Sequence, residues 1–366
     1  MQERKTERSD KSINIEFYLV DAFEIYHFLP LYYLFEKKGF HVRFVAEPTE
    51  YNTSGKWFDY DRAVKILETN QAVYSKVCNA DCEAAFTTQD AYLLSKYHKK
   101  KIHMSYGYSF NENNFFESER SIQGFDYKLV HGQHLCQELQ QKSRIPQVFA
   151  MGYPKYMWKC PMLFEETFNL EKEIRKKNVN NKPVLLYFPT WDKGSSISWY
   201  GEQIMKLRER FFVVTKAHHC TSRLKSEQEH KNILYKISDI VCGGNSNFSE
   251  IVKVGNIALC DAMSGAASEV PLLNKNIDLL LLYSPLQENN DFKQEMHDFA
   301  CCAVRPEELV IKCEETFGCD VYKEKRITML DRFFQPTDDT CLEGFIEALQ
   351  MDIQGQETGE YEKNIM

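Results

Sequence analysis

The chain has 366 residues, with 45 Lys or Arg and 53 Asp or Glu, so its formal net charge is −8. Hydrophobic residues make up 43% and charged residues 27%, a composition typical of a folded globular protein, and the length suits about two domains. The acidic balance argues against a protein dedicated to nucleic acid, because such proteins usually present a basic face.

The sequence shows neither a signal peptide nor a membrane span. Residues 1–11 are polar and mixed in charge, and the longest apolar run, residues 279–283, is far too short to cross a bilayer. We therefore expect a cytoplasmic protein whose 12 cysteines are free thiols. The cysteine spacing lacks the pattern of a zinc site, so we expect no metal and no cofactor.

The first half of the chain alternates predicted strands and helices. A strand over residues 13–20, a helix to residue 38 and a strand over 41–45 form a strand–helix–strand unit, which is typical of a parallel sheet. Further strands are predicted over residues 84–87, 101–104, 126–130 and 147–151, with helices over 89–98 and 133–141.

A charged segment over residues 156–182 predicts a linker helix before a second series of the same kind. This series has predicted strands over residues 184–188, 211–215, 257–260 and 277–282, with helices over 201–210, 266–273 and 342–349.

Two successive α/β halves predict two Rossmann-like domains that face each other across a cleft. The predicted boundaries are residues 1–155 for the N-terminal domain, 183–350 for the C-terminal domain and 351–366 for a flexible tail.

Ligands of open α/β sheets bind beyond the carboxyl ends of the strands, so the residues after each strand are candidate site residues. In the second half, Thr190 follows the first strand, Lys216 and His218 follow the second, and Asp261 ends the third. A lysine there offers a point charge to phosphate, and a histidine can donate to phosphate or move a proton. The alternative is an ordinary solvated loop.

A turn of small residues, Ser264 and Gly265, opens the helix predicted over 266–273. Such a turn lets backbone N–H groups approach an anion at the positive end of the helix. Glu269 could hold a ribose hydroxyl or cap its own helix. The equally supported alternative is that Ser264 is only the N-cap of this helix.

Three residues of the first half are candidates for the base that would take a proton from an acceptor hydroxyl. Tyr106 follows the strand over residues 101–104, and we expect it to point into the cleft. His131 ends the strand over 126–130 ahead of Gly132 and ranks level with Tyr106, because an imidazole titrates near neutral pH. His103 is the third candidate, since it lies nearest to Tyr106 in sequence.

Five short segments, in this order, resemble the CDP-glycerol glycerophosphotransferase family of teichoic-acid and capsule enzymes. The resemblance covers about residues 13–349. The matching segments are Gly152-Tyr153-Pro154-Lys155, Tyr187-Phe188-Pro189-Thr190-Trp191, Lys216-Ala217-His218, Asp261-Ala262-Met263-Ser264 and Asp338-Asp339.

The resemblance implies a GT-B fold with the nucleotide donor held by the second domain. It implies transfer of glycerol phosphate, or of a related polyol phosphate or sugar, from a CDP-activated donor to a cell-surface glycan or lipid-linked acceptor. His218 and Ser264 match the family's pyrophosphate-binding residues. Tyr106 stands where the family has its catalytic histidine, and Met263 replaces a serine.

These departures leave a second hypothesis open: a non-catalytic or differently specific GT-B relative, such as a UDP-sugar glycosyltransferase or epimerase. Because the family's acceptors are lipid-linked, we also expect peripheral contact with the inner face of the cell membrane. Two basic groups could serve that contact, Arg4, Lys5, Arg8 and Lys11 at the start of the chain and Lys99-Lys100-Lys101.

Overall fold

A computed structural model describes residues 13–47, 59–110, 123–141, 147–164, 169–244, 246–284 and 294–363. The basic group within residues 1–12 lies outside these ranges. In the described part, no helix is both long enough and apolar enough to cross a membrane.

The N-terminal domain is built on a parallel sheet whose described strands run in the order β3-β2-β1-β4-β5-β6-β7. The strands are β1 (Asn14–Tyr18), β2 (His41–Val45), β3 (Tyr74–Ser75), β4 (Ala84–Thr87), β5 (Lys100–Met104), β6 (Tyr127–Val130) and β7 (Gln147–Ala150). The helices are α1 (Ile25–Lys37), α2 (Tyr60–Thr69), α3 (Gln133–Gln141) and the short α4 (Pro154–Met157).

The C-terminal domain has a second parallel sheet in the order β10-β9-β8-β11-β12-β13. Its strands are β8 (Val184–Phe188), β9 (Phe212–Lys216), β10 (Ile240–Cys242), β11 (Ile257–Asp261), β12 (Asp278–Leu282) and β13 (Cys301–Ala303). Its helices are α5 (Leu170–Lys177), α6 (Ile197–Leu207), α7 (His219–Arg223), α8 (Gln228–Ile237), α9 (Phe248–Lys253), α10 (Ala266–Leu273), α11 (Glu295–Phe299), α12 (Leu309–Thr316) and α13 (Lys323–Phe333).

The second sheet is buried on both faces, which explains its nearly continuous apolar strands. Successive side chains of a strand point to opposite faces. In β8, accordingly, Val184, Leu186 and Phe188 join one apolar cluster while Leu185 and Tyr187 join the other. Helices on each face cover these clusters, whereas the ends of the strands lead into loops that can form a binding site.

Each sheet has one place where the strand order reverses. It lies between β1 and β4 in the first domain and between β8 and β11 in the second. Ligands of doubly wound sheets bind outside the carboxyl ends of the strands at such a point. Two parallel-sheet domains of this kind confirm the predicted α/β architecture.

The last helix, α14 (Glu343–Lys363), returns to the N-terminal domain. Phe345, Leu349 and Ile353 are buried in the core of that domain, and the Tyr127 hydroxyl donates to Asp352 at 2.7 Å. The predicted limit of the C-terminal domain at residue 350 is therefore wrong, because this apolar face packs on the first sheet. The predicted tail from residue 351 is also wrong as far as Lys363, where the helix ends.

Other expectations need smaller corrections. The helix predicted over residues 89–98 is only a 3₁₀ turn, Ala91–Leu94. The predicted basic group at 99–101 is largely neutralised, because Lys99 pairs with Glu83 at 3.0 Å and Lys100 with Asp352 at 2.6 Å. All twelve cysteines are free thiols.

Candidate active site

The loops after β8, β9 and β11 meet at the point where the second sheet reverses its strand order. The ring of Trp191, after β8, stacks on His218, after β9, with centroids 6.0 Å apart. The backbone N–H of Thr190 donates to Asp261 at the end of β11 at 2.8 Å. The structure therefore brings together the strand ends that the sequence singled out in this half.

Asp261 holds this loop rather than facing the cleft. Its side chain is 1% exposed and accepts the backbone N–H groups of Thr190 (2.8 Å) and Ser196 (3.1 Å), together with the Ser196 hydroxyl. Burial raises the pKa of Asp261 to about 6. The prediction of Asp261 as a donor-binding residue is corrected, because its oxygens are already engaged inside the domain.

Lys216 and His218 form the cationic part of the site. The Lys216 ammonium donates to the Gly244 carbonyl at 3.0 Å and lies 5.9 Å from the centre of the Phe248 ring. Burial, followed by the charge of Lys155, lowers the pKa of Lys216 to about 8. The side chain is half-buried, so a ligand could still reach it.

His218 caps helix α7 with its ring. Nδ1 accepts the backbone N–H of Cys220 at 3.2 Å, and burial together with Lys216 lowers the pKa of His218 to about 3. The imidazole is therefore neutral near pH 7. Since Nδ1 is an acceptor, the proton lies on Nε2, which makes His218 a hydrogen-bond donor for a phosphate oxygen.

The turn before α10 contains Ser264 and Gly265, and the N-cap residue of the helix is Gly265 and not Ser264. The Ser264 hydroxyl accepts the backbone N–H of Ala266 at 3.2 Å, a hydrogen bond within the turn that leads into the helix. Ser264 and Gly265 remain half-buried at the start of this eight-residue helix. The positive end of the helix thus stays accessible to an anion.

Glu269 joins the two domains and does not cap its own helix. One carboxylate oxygen accepts from the Tyr153 hydroxyl at 2.5 Å, and the other accepts from the Tyr156 hydroxyl at 3.0 Å. Each oxygen of Glu269 thus has a tyrosine donor from the first domain, and the ribose-binding role of Glu269 stays a prediction.

Tyr106 lies on the N-terminal side of the cleft. Its ring makes edge contacts with Phe23 at 5.2 Å and His27 at 5.5 Å, and its carbonyl oxygen lies 2.8 Å from the Tyr153 hydroxyl oxygen. Burial and then the charge of Glu24 raise the pKa of Tyr106 above its usual value. The phenol is thus neutral and suited to orienting a hydroxyl, not to acting as a base.

The two histidines predicted as bases do not face the cleft. His103 is fully buried on the face of β5 opposite Ile102 and Met104, with its ring 5.2 Å from Phe125. Burial lowers its pKa well below the usual range. The prediction of His103 as a base is corrected, because side chains alternate between the two faces of β5 and that of His103 points into a buried core.

His131 is 1% exposed and lies behind Tyr153, with ring centroids 4.6 Å apart. Its Nδ1 lies 3.0 Å from the Gly152 carbonyl, and burial lowers its pKa to about 4. His131 is therefore neutral near pH 7 and is buried against Tyr153, and its role as a base stays a prediction.

Sequence reasoning missed the residues that make up most of the N-terminal side. His27 lies within α1, and its Nε2 is 3.4 Å from the Lys155 ammonium. Lys155 lies in the first turn of α4, in a segment quoted above for the resemblance but not singled out as functional. His27 was not predicted because it lies within a helix, whereas the candidate residues were sought after the ends of strands.

Gly152 sets the path of this segment. Its φ is +69°, and a Cβ added there would lie 1.8 Å from the Pro336 carbonyl oxygen, so only glycine fits. Pro154 then opens α4, where its fixed φ suits a first helical position. This backbone carries Tyr153, Lys155 and Tyr156 to the cleft.

Further contacts close one edge of the cleft. Arg223 pairs with Asp21 at 3.2 Å, and the ring of Phe23 lies 4.8 Å from that of His219. The Ser268 hydroxyl oxygen lies 3.1 Å from the Tyr108 carbonyl oxygen and 3.0 Å from that of Gly265. Loops of the two domains therefore meet directly around the candidate site.

One group of side chains has the donor atoms of a metal site. Ligand atoms of His218, His219 and Cys220 lie within 4.8 Å of one another. The charges of Lys216 and Arg223 act on both histidines and oppose a second cation there. This electrostatic setting favours an anion, so we assign no metal to the group.

Comparison with known proteins identifies the fold. No family model and no curated protein matches the chain. Among solved structures, a glycosyltransferase from Rickettsia africae is 13% identical with a TM-score of 0.55, covering 94% of this chain and 99% of that one. A putative UDP-N-acetylglucosamine 2-epimerase from Listeria monocytogenes is 11% identical with a TM-score of 0.59, covering 88% and 92%.

The wall teichoic acid polymerase TagF, solved with CDPG, is 15% identical with a TM-score of 0.54, covering 94% of this chain and 89% of that one. Similarity at this level defines the fold alone. The chain has a GT-B fold, as the sequence predicted, and its donor and acceptor need a separate argument from the site.

Proposed function

We propose that this protein is a transferase that uses a nucleoside-diphosphate-activated donor. The observation that carries the proposal is the convergence of Lys216, His218 and the start of α10 at the point where the second sheet reverses its strand order. All three supply positive charge or N–H donors, which suits a diphosphate at that place.

The site supports group transfer with a charged leaving group. An acceptor hydroxyl forms a bond to the transferred group, the bond to the departing nucleotide breaks, and the hydroxyl proton passes to a base or to solvent. Lys216 and the Nε2–H of His218 would stabilise the negative charge that gathers on the departing nucleotide. Tyr106, neutral and facing the first domain's aromatic residues, would orient the acceptor hydroxyl.

Within this class we propose a CDP-activated donor such as CDP-glycerol, with a cell-surface glycan or a lipid-linked molecule as acceptor. The similarity to TagF and the ordered segments described above support this choice. A UDP-sugar donor is the second candidate, because the Listeria epimerase matches with the higher TM-score of 0.59.

Isothermal titration of the full chain with CDP, CDP-glycerol, UDP and UDP-N-acetylglucosamine tests the proposal and ranks the two donors. We expect one nucleotide series to bind, and we expect Lys216→Met to weaken that binding about 10- to 100-fold, the value of a charge-assisted hydrogen bond. Lys206→Met is the matched control, since Lys206 is exposed on α6 and bonds only with Gln203 among the described residues. Failure of every nucleotide to bind would contradict the proposal.

A further inference from the structure

Two lysines, one from each domain, are connected across the cleft by aromatic rings. The Lys155 ammonium lies 5.0 Å from the centre of the Tyr156 ring, and the Lys216 ammonium lies 5.9 Å from that of Phe248. The rings of Tyr156 and Phe248 are themselves 6.3 Å apart. The cleft therefore holds a positive charge on each side.

Neither lysine has an ion-pair partner in the part of the chain that the structure describes. Lys155 approaches only the imidazole of His27, at 3.4 Å, and Lys216 bonds to a backbone carbonyl. The carboxylate common to both surroundings, Glu269, accepts hydrogen bonds from Tyr153 and Tyr156 instead. Withdrawing an ammonium from water without an anion costs free energy.

The electrostatics agree with this geometry. Burial lowers the pKa of Lys155, and the charge of Lys155 in turn contributes to the lowered pKa of Lys216. An anion placed between the two domains would favour the charged form of both lysines. The Glu269 carboxylate opposes part of the lowering of both pKa values, and an anionic ligand in the cleft would oppose more of it.

We propose that Lys155 binds a phosphate group on the N-terminal side of the cleft, opposite the phosphate bound by Lys216 and His218, and that His27 positions the Lys155 ammonium. The proposal rests on the proposed function and extends it by giving the first domain a phosphate ligand of its own. The phosphate belongs either to the transferred end of the donor or to the acceptor.

Hydrogen-bond chemistry assigns the two residues different roles. Burial keeps His27 neutral by lowering its pKa well below the usual range. Its Nε2 can then accept one proton of the Lys155 ammonium, which leaves two further donors for phosphate oxygens. Lys155 contacts the ligand, whereas His27 acts through Lys155 and is a positioning residue.

Binding of mono- and diphosphates separates the two lysines. We titrate CMP, CDP, UMP and UDP into the wild-type chain and into Lys155→Met, Lys216→Met and Lys159→Met. If the donor supplies the phosphate, Lys155→Met weakens the diphosphate about 10-fold and the monophosphate less than 2-fold. Lys216→Met weakens both. Lys159→Met is a control because Lys159 is exposed in the same segment.

A second set of titrations detects a phosphate that belongs to the acceptor. Glycerol 3-phosphate is titrated into chains already saturated with the tighter nucleoside diphosphate. If Lys155→Met leaves nucleotide binding unchanged but weakens glycerol 3-phosphate about 10-fold, the acceptor supplies the phosphate. If Lys155→Met, folded with the wild-type melting temperature, changes neither affinity by more than 2-fold, the proposal is overturned. Lys155→Gln replaces it if the methionine variant fails to fold.

The positioning role of His27 has its own readout. His27→Gln keeps an acceptor for the Lys155 ammonium and should restore phosphate affinity to within about 3-fold of wild type, whereas His27→Leu should match the loss seen in Lys155→Met. Equal loss in His27→Gln and His27→Leu would show that His27 does not act through this hydrogen bond.

Failure of the proposed function would be recognised separately. If the wild-type chain binds no nucleotide, the proposed function falls, and inorganic pyrophosphate then tests the phosphate site by thermal shift. Stabilisation by pyrophosphate that is lost in Lys155→Met supports the site, and stabilisation that is equal in wild type and Lys155→Met overturns it.

Discussion

The two sides of the cleft are formed by different secondary-structure elements and carry different types of side chain. On the C-terminal side, three loops that follow parallel strands supply Lys216, His218 and the turn at Ser264. On the N-terminal side, residues of helix α1 and of the segment after β7 supply an aromatic surface around Tyr106 and His27. The first side is cationic, and the second is largely uncharged apart from Lys155.

This difference assigns a task to each side. The charge of Lys216 and the positive end of α10, both at a strand-order reversal, suit a diphosphate, in line with the donor proposed above for the C-terminal side. Aromatic rings with hydroxyl and imidazole groups suit the carbon skeleton and hydroxyls of an acceptor. The chemistry would take place where Glu269 and Tyr153 join the two sides.

Each domain also has a buried carboxylate at the reversal point of its sheet that accepts backbone N–H groups. Glu24 accepts the backbone N–H groups of Val20 (2.7 Å) and Asp21 (3.0 Å) and the hydroxyl of Thr88. Asp261 does the same for the loop after β8. These two buried carboxylates fix the conformation of loops that line the cleft. Substitution of each tests whether the two contribute equally to stability.

The largest effect is expected at Asp261. Asp261→Ala leaves two backbone N–H groups and a hydroxyl without their acceptor, and should lower the free energy of unfolding by about 3 kcal/mol. Urea denaturation measures this change, with Asp261→Asn as the variant that keeps one acceptor oxygen. Unchanged stability with lost nucleotide binding would instead make Asp261 a donor ligand.

Glu24 is expected to make stability depend on pH. Burial raises its pKa to about 7 from 4.5, so the folded chain takes up this proton before the unfolded chain does. The contribution of Glu24 to the free energy of unfolding therefore rises as pH falls from 8 to 5, on the order of 2 kcal/mol. The melting temperature of Glu24→Gln relative to wild type should therefore increase as pH rises. A difference in melting temperature that does not vary with pH would contradict this.

Removing Glu269 tests the contact between the two sides. Glu269→Ala deletes two hydrogen bonds to tyrosines of the first domain and should destabilise the closed arrangement by about 2 kcal/mol. Small-angle scattering should then report a larger radius of gyration. Glu250→Ala is the control, since Glu250 pairs with Lys253 on the exposed face of α9. An unchanged radius would mean that other contacts hold the domains together.

Ser264 carries the smallest expected effect. Ser264→Ala removes the hydroxyl that accepts the Ala266 N–H in the turn before α10 and should cost about 1 kcal/mol of stability, while Ser264→Asn, which keeps an acceptor oxygen, should retain most of it. Thermal denaturation compares the three chains. If Ser264→Ala is as stable as wild type but binds the nucleotide diphosphate 10-fold more weakly, the hydroxyl is a ligand more than an acceptor for the Ala266 N–H.

The residues that follow strands of the second sheet could be predicted as site residues from the sequence. Lys216, His218 and Ser264 follow strands of one parallel sheet. The strand order of that sheet places the three loops close together. The same topology placed Tyr106 correctly after β5. The elements that escaped prediction include two short strands, β3 and β10, which carry little periodicity.

Other features depended on tertiary packing. The orientation of His103 is fixed by which face of β5 meets α1, and the return of α14 to the first domain is fixed by an apolar face that either domain could have covered. Asp261 and Glu269 follow the expected pattern in sequence, yet hydrogen bonds from Thr190, Ser196 and Tyr153 engage their oxygens. A sequence does not reveal such partners before the fold brings them together.

A crystal structure of the chain with the nucleoside diphosphate that binds most tightly would show whether the C-terminal side of the cleft holds the diphosphate. We expect phosphate oxygens within hydrogen-bond distance of the Lys216 ammonium and of His218 Nε2, at the start of α10. A nucleotide bound elsewhere, with Lys216 still bonded only to the Gly244 carbonyl, would contradict it.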